Sequence, residues 1–474
     1  MAIIIIIPVL SITTGLLTAM ATAEATCYKP RERHGQCRHD PYRLPSVLFG
    51  TKTTYRHATG LHTKWASRAR VPGCRPLLLM IFMRHTTRFP GKKDLKKFGE
   101  RLPELQNMIL NASRAGSGTL CRQHVNSLRK WKYNWDESME NRVTSSGIRE
   151  TGEIASRFRR MFPGLLPSRF YQDEYVVRAT SKNRTRDTAY AFLKAVLYRK
   201  ELKKFKRERA LVVDDDMLAF QSTCEDKLEK QGVNKTESQE ETKFLDSAMV
   251  QEMMQAMSRR LGVNVSTDDV RLMAKMCAFE VALRGWSPFC YLFDKEDLDL
   301  LEYAEDLDDY EEDAYGNERS VALGCLLVEE MVDKIREKLR TSLTGGASFH
   351  THLRAALYFT HAAVMKSLVA KLGLGRAAPP LRASNYCRYR THRPWRSSRL
   401  VPFTANFALV LFQCGSSQLT VLPILNERTV WLPGCRSVFC PLEDFLRSSV
   451  VQSSRNCDPE KICSKDWNGR GRPE

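Results

Sequence analysis

The chain has 474 residues, and its 74 Lys and Arg against 54 Asp and Glu give a formal net charge of +20. The length provides ample material for a hydrophobic core, in one large domain with an insertion or in two domains, and excludes little else. The charge points to an anionic partner. The candidates are nucleic acid, a heparin-like surface and a phosphorylated metabolite. No RNA- or DNA-binding motif appears, so nucleic acid is the least favoured of the three.

The first 25 residues predict a signal peptide, because an apolar run that reaches Met20 is followed by the small residues of 21–25. No Lys or Arg precedes this run, so an uncleaved anchor remains an alternative. Beyond it, 14 cysteines without a zinc-type CxxC pair predict disulfides in an oxidising compartment and no metal site. Asn-x-Ser/Thr sequons agree with the secretory route, and they lie at Asn111, Asn183, Asn234 and Asn264.

The first elements predicted along the chain alternate between strand and helix. Residues 26–72 are rich in Arg, His and Pro and predict an irregular N-terminal arm. The apolar run 77–83 is typical of a strand that is buried on both faces of a parallel sheet. Apolar spacing predicts helices over 94–110 and 148–161, and a short strand follows at 175–177.

The middle of the chain is predicted to be helical. The helix predicted over 188–209 is strongly basic, with the pattern of a solvated helix face, and 212–342 predicts an inserted, more acidic helical domain. Residues 294–313 hold 12 acidic side chains against one lysine without EF-hand spacing, which predicts a solvated acidic helix. Apolar residues four apart predict a core-facing helix that Gly262 ends, and they are Leu245, Met249, Met253, Met257 and Leu261.

Strand patterns return near the C-terminal end, at 356–360, 407–412 and 419–422. The predicted fold class is therefore α/β, a three-layer αβα sandwich with a mixed central sheet. Its core is predicted to come from 73–211 and 343–474, which lie on either side of the inserted helical domain.

Directly after the buried run stands Arg84-His85-Thr86-Thr87-Arg88-Phe89-Pro90, in which two guanidinium groups flank an imidazole. In open α/β sheets, ligands bind at the carboxyl ends of the strands. Phosphoryl transfer needs a nucleophile and fixed donors for the non-bridging oxygens. Arg84 and Arg88 are such donors and His85 is the nucleophile, so the segment predicts a phosphoryl-transfer site.

The segment resembles the RHGxRxP signature of the histidine acid phosphatases, in which the histidine is transiently phosphorylated. Thr86 stands where that family usually has glycine. The segment 177–187 is similar to the one that donates a further phosphate-binding arginine, which matches Arg184. The strand ending at His361 looks like the one with the family's second catalytic histidine, where relatives read HD or HAE. The resemblance implies that His361 bonds a phosphate oxygen, whereas the HAE acid is replaced by Ala363.

Other segments resemble the multiple inositol polyphosphate phosphatase branch, whose members hydrolyse inositol hexakisphosphate, lower inositol phosphates and, in some cases, 2,3-bisphosphoglycerate. These segments are 49–53, 222–228 and 396–402. The resemblance implies an active site in the cleft between the α/β core and the helical insertion, without metal or cofactor. Candidates for substrate binding are Thr87 and four cationic residues, Lys52, Arg178, Lys182 and Arg186.

The same resemblance implies two disulfides, one that joins the halves of the α/β core and one that is local to the insertion. They are Cys74–Cys414 and Cys277–Cys290. Two further pairs, Cys457–Cys463 and Cys27–Cys37, are weaker expectations, because connectivity does not follow from spacing alone.

The sequence therefore predicts a monomeric phosphomonoesterase that acts on a polyphosphorylated small molecule through a phosphohistidine on His85, with no stable protein partner. The replacement at Ala363 leaves a second hypothesis open, a degenerate phosphatase that captures inositol phosphates or anionic glycans without turnover. A third is a broad acid phosphatase without preference for inositol rings. The ending 468–474 is not of the KDEL type, which favours secretion or the cell surface over retention in the endoplasmic reticulum.

Overall fold

The computed structural model describes residues 27–30, 37, 48–60, 73–233, 238–343, 353–415 and 417–469. The predicted signal peptide, most of the predicted arm and the sequon at Asn234 lie outside these residues. Within them, none of the helices is both long enough and apolar enough to cross a bilayer.

Strands of the described chain form one sheet, and they are β1 (Cys74–Arg84), β2 (Tyr175–Ala179), β3 (Leu211–Val213), β4 (Ala355–Thr360), β5 (Asn406–Cys414), β6 (Gln418–Leu425), β7 (Arg428–Thr429) and β8 (Cys440–Pro441). Their order is β3-β2-β4-β1-β5-β6-β7, and β8 pairs with β6. The first four strands of this order are mutually parallel. β5 runs antiparallel to β1, and β6 runs antiparallel to β5, β7 and β8. The sheet is therefore mixed, as predicted.

β1 is the central strand of the sheet, and this position explains its uninterrupted apolar sequence. Its Leu79 pairs with Ala355 of β4 on one side and with Val410 of β5 on the other. Every side chain from Leu78 to Arg84 is buried, because helices cover both faces of the sheet at this central strand. The predicted strand at 77–83 is confirmed.

Helices before β3 are α1 (Tyr55–Thr59), α2 (Lys92–Arg114), α3 (Arg122–Lys130), α4 (Ser145–Met161), α5 (Asn183–Val196) and α6 (Arg199–Arg207). Helices between β3 and β4 are α7 (Asp215–Leu218), α8 (Phe220–Lys230), α9 (Gln239–Leu245), α10 (Ala248–Leu261), α11 (Thr267–Arg284), α12 (Lys295–Asp313), α13 (Glu318–Leu323) and α14 (Cys325–Leu343). Later helices are α15 (Ala362–Lys371), α16 (Tyr386–Tyr389), α17 (Ser397–Leu400), α18 (Leu442–Arg447), α19 (Ser449–Gln452) and α20 (Pro459–Ile462).

Two hydrophobic cores lie on the two faces of the sheet. On one face, Phe158 of α4 and Phe192 of α5 belong to the same buried cluster as Ile81 of β1. On the other face, Phe82 stacks on Tyr358 with ring centroids 4.5 Å apart, inside a cluster that continues through the helices between β3 and β4. Helices on both faces of a mixed sheet make an α/β sandwich, so the predicted fold class is confirmed.

Several predicted elements differ in detail from the observed ones. The single basic helix predicted over 188–209 is two helices, α5 and α6, that Leu197 and Tyr198 separate. The predicted boundary at 211 falls inside β3, so the helical insertion begins after that strand. Gly262 ends α10 with φ of 72°, as its left-handed preference predicts, and the methionines of α10 are buried.

The prediction that the acidic helix is solvated is wrong, because α12 is largely buried. Its buried carboxylates are Asp297, Asp299, Glu302, Asp306, Asp309 and Asp313. Buried cations from three separate segments neutralise five of them, in the pairs Arg260–Asp297, Arg393–Glu302, Arg393–Asp306, Lys366–Asp309 and Lys366–Asp313. Buried charges persist only when they are paired, and these partners lie too far away in the sequence to be read from the helix itself.

Seven disulfides among the described residues fit an oxidising secretory compartment. Cys74–Cys414 and Cys277–Cys290 form as the resemblance implies. The expected pairs Cys457–Cys463 and Cys27–Cys37 are wrong, because α20 separates the first two cysteines and each of the four faces a different partner. The remaining disulfides are Cys27–Cys387, Cys37–Cys121, Cys224–Cys463, Cys325–Cys457 and Cys435–Cys440.

Candidate active site

Three sequence motifs meet at one edge of the sheet because β2, β4 and β1 are parallel neighbours. The loop after β1 carries His85, the loop after β2 leads to Arg184 in the first turn of α5, and His361 directly follows β4. The backbone N–H of His85 donates to the carbonyl of Thr360 over 2.9 Å, which fixes the first loop against β4. Carboxyl ends of parallel strands are where α/β proteins bind ligands.

His85 is buried, and a backbone carbonyl fixes its ring. Its side chain is 3% exposed, and its Nδ1 lies 3.0 Å from the carbonyl oxygen of Thr86. A carbonyl oxygen only accepts hydrogen bonds, so Nδ1 carries the proton and Nε2 keeps its lone pair. Burial, followed by the charges of Arg84 and Arg88, lowers the pKa of His85 well below its usual range. The imidazole is therefore neutral and available to attack.

Arg84 is held by the protein backbone. One of its terminal nitrogens donates to the carbonyls of Thr51 (2.6 Å) and Val401 (2.8 Å), and its guanidinium lies 4.6 Å from the centre of the Phe403 ring. Burial and the neighbouring charge of Arg88 lower the pKa of Arg84 to about 9. A buried cation beside another cation favours an anion between them.

Four buried nitrogen atoms in this cluster have no hydrogen-bond partner among the described residues, and they are Nε of Arg84, Nε of Arg88, Nε of Arg184 and Nδ1 of His361. Burial and the charge of Arg184 also lower the pKa of Arg88 to about 10. Buried polar groups normally have partners. Orphaned donors that share one cationic pocket indicate a site for an anion rich in oxygen atoms, and a phosphoryl group has that chemistry.

His361 begins α15 and faces the nucleophile, with the two ring centroids 5.8 Å apart. Its Nε2 lies 3.0 Å from Oγ1 of Thr180, a residue that ends up beside it because β2 and β4 are adjacent. Burial, followed by the charges of Arg184 and Arg88, lowers the pKa of His361 to about 3. A neutral imidazole can donate one hydrogen bond to an anion without adding charge.

Thr86 is accommodated without backbone strain, since its φ is not among the positive ones. Its backbone N–H donates to Oγ1 of Thr188 over 3.0 Å, and its hydroxyl lies 3.5 Å from that of Thr404. Space for the side chain comes from Gly147 in the first turn of α4, where a Cβ atom would lie 2.6 Å from Oγ1 of Thr86. The departure from the family's glycine is therefore matched by a glycine on the facing helix.

The predicted cationic substrate-binding residues differ in where they lie. Lys52 forms an ion pair with Glu305 at 3.4 Å, and Arg178 forms one with Asp214 at 3.0 Å. Lys182 is exposed at the start of α5, and its charge contributes to the lowered pKa of His361. Lys182 is thus close to the cluster, whereas Lys52 and Arg178 are occupied by carboxylates.

Arg186 and Thr87 lie on two elements of the cluster. Arg186 is half-buried in the first turn of α5, and Thr87 is 2% exposed in the loop after β1. The backbone carbonyl of Thr87 accepts from the backbone N–H of Thr144 over 3.0 Å, which ties that loop to α4. The contact with α4 identifies a structural role for the main chain of Thr87.

A cavity of about 580 Å³ lies between the α/β core and the insertion, lined by residues of α2, α11 and α12 and by Lys52. It adjoins the cluster, because Thr51, which holds Arg84, precedes Lys52, and because lining residue Asp94 acts on the charge of Arg88. Burial and neighbouring carboxylates raise the pKa of the lining residue Asp308 to about 7. The cavity is not lined by His85, His361 or the three arginines of the cluster, and its lining holds eight carboxylates against five cations, so it does not have the chemistry of a phosphate site.

Sequence reasoning missed the residues that support the cluster, because no motif marks them. Thr180 contacts His361, Phe403 covers Arg84, and Thr404 donates its backbone N–H to the carbonyl of His85 over 3.3 Å. Thr404 has φ of 61°, a strained value for threonine. Among the described residues, one cluster has the composition of a metal site, and it consists of Cys37, Cys121 and His124. Its two cysteines are bonded to each other in a disulfide, so they are not free metal ligands.

A buried, neutral imidazole among converging arginines, at the carboxyl edge of a mixed sheet, fits an enzyme of phosphoryl transfer. The chain belongs to the histidine phosphatase superfamily (branch 2), whose family model matches residues 78–426. It is 29% identical, over 88% of both chains, to a protein of Drosophila melanogaster called multiple inositol polyphosphate phosphatase 1.

Two solved structures share the fold. The phytase from D. castellii matches with a TM-score of 0.64 and 17% identity, over 90% of this chain and 88% of its own. The multiple inositol polyphosphate phosphatase of Bifidobacterium longum, in complex with inositol hexasulfate, matches with a TM-score of 0.59 and 14% identity, over 85% and 97%.

Proposed function

We propose that the protein is a secreted or cell-surface phosphomonoesterase that hydrolyses inositol polyphosphates, and that it does so through a phosphohistidine on His85. The observation that carries this proposal is the set of four orphaned buried nitrogens around a neutral imidazole. The relative from D. melanogaster and the structure with inositol hexasulfate support the choice of substrate. 2,3-Bisphosphoglycerate is a further candidate substrate, and no metal, cofactor or second protein takes part in the proposed reaction.

In the first step, Nε2 of His85 attacks phosphorus, and the bond from phosphorus to the leaving oxygen breaks with its electron pair on that oxygen. Arg84, Arg88 and Arg184, together with His361, hold the non-bridging oxygens while their charge redistributes. The leaving alkoxide takes a proton from water, and the hydroxide that forms takes a proton from the phosphate released in the second step. In the second step, water attacks phosphorus, the bond to Nε2 breaks, and inorganic phosphate leaves a neutral His85 behind.

The test is phosphate release from inositol hexakisphosphate by the purified protein, by His85→Ala, and by His392→Ala as a matched exposed histidine. We expect His85→Ala to abolish turnover and His392→Ala to retain it. Turnover that survives His85→Ala would refute the phosphohistidine mechanism. Equal kcat/KM for inositol hexakisphosphate and for simple aryl phosphates would instead identify a broad acid phosphatase.

A second candidate function is capture of inositol phosphates without turnover, and Ala363 is the observation that favours it. Ala363 lies in the first turn of α15, two residues after His361, and carries no acid to protonate the leaving group. General acid catalysis contributes about a hundredfold to ten-thousandfold in rate. Tight binding of inositol hexakisphosphate by a native protein that releases no phosphate from any substrate would establish this alternative.

A further inference from the structure

Half of the chain's net charge lies on one layer of the sandwich. Residues 145–209, which contain α4, α5 and α6, hold 17 Lys or Arg against seven Asp or Glu, and the whole chain carries +20. Of these cations the candidate site uses Arg184, with Lys182 close to it, so most of this charge has no role in the reaction described above.

The densest part of this charge, the basic face, comprises the exposed cations of α6 and of the turn after it, namely Arg199, Lys200, Lys203, Lys206, Arg207 and Arg209. None of them forms an ion pair with another described residue. Glu201 is the carboxylate in the first turn of α6. It accepts a hydrogen bond from the backbone N–H of Phe170 over 3.2 Å and pairs with none of these cations. The face therefore carries six exposed cations against one exposed carboxylate, Glu208 in the turn after α6.

The basic face is rigidly held. Phe205, the one buried residue of α6, packs edge-on against Phe170 with centroids 5.1 Å apart. Lys204 donates to the carbonyl of Phe170 over 3.1 Å, and Lys206 lies 4.6 Å from the centre of the Tyr190 ring. A face whose backbone is anchored loses little conformational entropy when it binds a partner.

The basic face lies far from the catalytic cluster. α5 begins at Asn183, beside Arg184, and runs 14 residues to Val196 before α6 begins. At 1.5 Å per residue this helix spans about 21 Å, from the carboxyl edge of the sheet to the amino edge that leads into β3. The basic face therefore belongs to a separate surface of the molecule.

A groove continues the basic face along α4. It has a volume of about 380 Å³ and is lined by Arg149, Arg157, Arg160 and Ala195, among others. Its lining also holds one carboxylate, Glu153, and its Ala195 lies near the end of α5, four residues before Arg199. Arg157 is paired with Glu427 at 2.7 Å, whereas Arg149 and Arg160 are exposed and make no ion pair among the described residues.

We propose that the basic face and this groove form a binding surface for a sulfated glycan of the heparin type, which would hold the secreted enzyme on an extracellular matrix. An extended polyanion suits cations that are spread along a band rather than gathered in one pocket. Tyr198 and Tyr171 flank α6 and are 56% and 45% exposed. Exposed aromatic rings beside cations offer flat surfaces for sugar rings.

The other polyanions fit less well. A helix that binds a membrane places large apolar side chains in the lipid boundary, but the outward residues of α6 are all charged. Nucleic acid does not share the oxidising compartment that seven disulfides indicate. A sulfated glycan has the charge, the length and the location that the surface requires.

The experiment is a titration of the full-length protein with heparin at several salt concentrations. The variant Lys203→Gln/Lys206→Gln/Arg207→Gln removes three charges from the basic face. The matched control Arg436→Gln/Arg455→Gln/Lys465→Gln removes three exposed charges from the C-terminal region. A second control, Arg88→Gln, removes a charge of the catalytic cluster.

We expect the first variant to bind heparin about tenfold to a hundredfold more weakly near 150 mM salt, with a salt dependence reduced by about two to three charges. Both controls are expected to bind like the native protein. Phosphate release should be unchanged in the first variant, so this result is independent of the proposed function. Unaltered heparin binding by the first variant, an equal loss in the C-terminal control, or preferential binding to phosphatidylserine vesicles would overturn the proposal.

Discussion

At the scale of single residues, the pair formed by Thr86 and Gly147 sets the shape of the catalytic loop. We expect Gly147→Ala to lower kcat/KM at least tenfold, because its Cβ would lie 2.6 Å from Oγ1 of Thr86 and 2.9 Å from the carbonyl of Thr87. Adding Thr86→Gly should restore part of the activity, since one of the two collisions disappears. Native kinetics for Gly147→Ala would contradict this coupling.

A second prediction at this scale concerns Ala363, which stands where the HAE motif of relatives has a carboxylate. We expect Ala363→Glu to raise kcat for inositol hexakisphosphate about tenfold or more, and kcat for p-nitrophenyl phosphate much less, because nitrophenolate leaves without protonation. The position in the first turn of α15 tolerates a carboxylate, which the helix dipole favours there. Equal gains for both substrates would show that the carboxylate acts on binding rather than on the leaving group.

The state of His361 is a third prediction. Its pKa of about 3 in the free protein lies below the value of about 6.5 in an unfolded chain. The contribution of His361 to the free energy of unfolding is therefore fully present above pH 6.5, and it is lost as the pH falls towards 3. Nuclear magnetic resonance should find no titration of His361 near pH 6.5 in the free protein, and phosphate should raise its pKa by neutralising the arginines. A free-protein pKa near 6.5 would argue against the buried cationic pocket.

At the scale of elements, the buried ion pairs of α12 make a prediction about stability. We expect Lys366→Met to lower the free energy of unfolding by about 3–5 kcal/mol, because it leaves Asp309 and Asp313 buried without their cation. Arg447→Met, which breaks an exposed pair with Glu443, is the control and should change it by under about 0.5 kcal/mol. Equal losses in a urea titration would show that burial of the α12 pairs is not what stabilises them.

The strands could be predicted from the sequence because burial in a central sheet requires continuous apolar runs, as 77–83 and 407–412 have. The clustering of His85, Arg184 and His361 could be predicted because they lie within short motifs beside those strands. Burial of α12 could not, since Arg393 and Lys366 neutralise it from 87 and 57 residues away. The same reason hid Thr404 and Gly147, which act on the site through contacts between distant segments.

At the scale of the whole molecule, disulfides tie the C-terminal region to the helical insertion. We expect Cys224→Ala/Cys463→Ala to lower the free energy of unfolding by about 2–4 kcal/mol, because this bond closes a loop of 239 residues in the unfolded chain. Cys435→Ala/Cys440→Ala, which opens a separation of five residues, should lower it less. Chemical denaturation at equilibrium measures both, and the reverse order would contradict an origin in loop closure.

The central place of β1 has a consequence for synthesis. Its two neighbours in the sheet, β4 and β5, begin at Ala355 and Asn406, so about 270 residues must be added after β1 before either neighbour exists. At typical elongation rates of about 5–20 residues per second, this interval lasts roughly 15 to 50 seconds. During that time an apolar segment waits unpaired in the lumen. We therefore expect newly made chains to depend on chaperones that bind exposed apolar segments until the second half of the sheet has emerged.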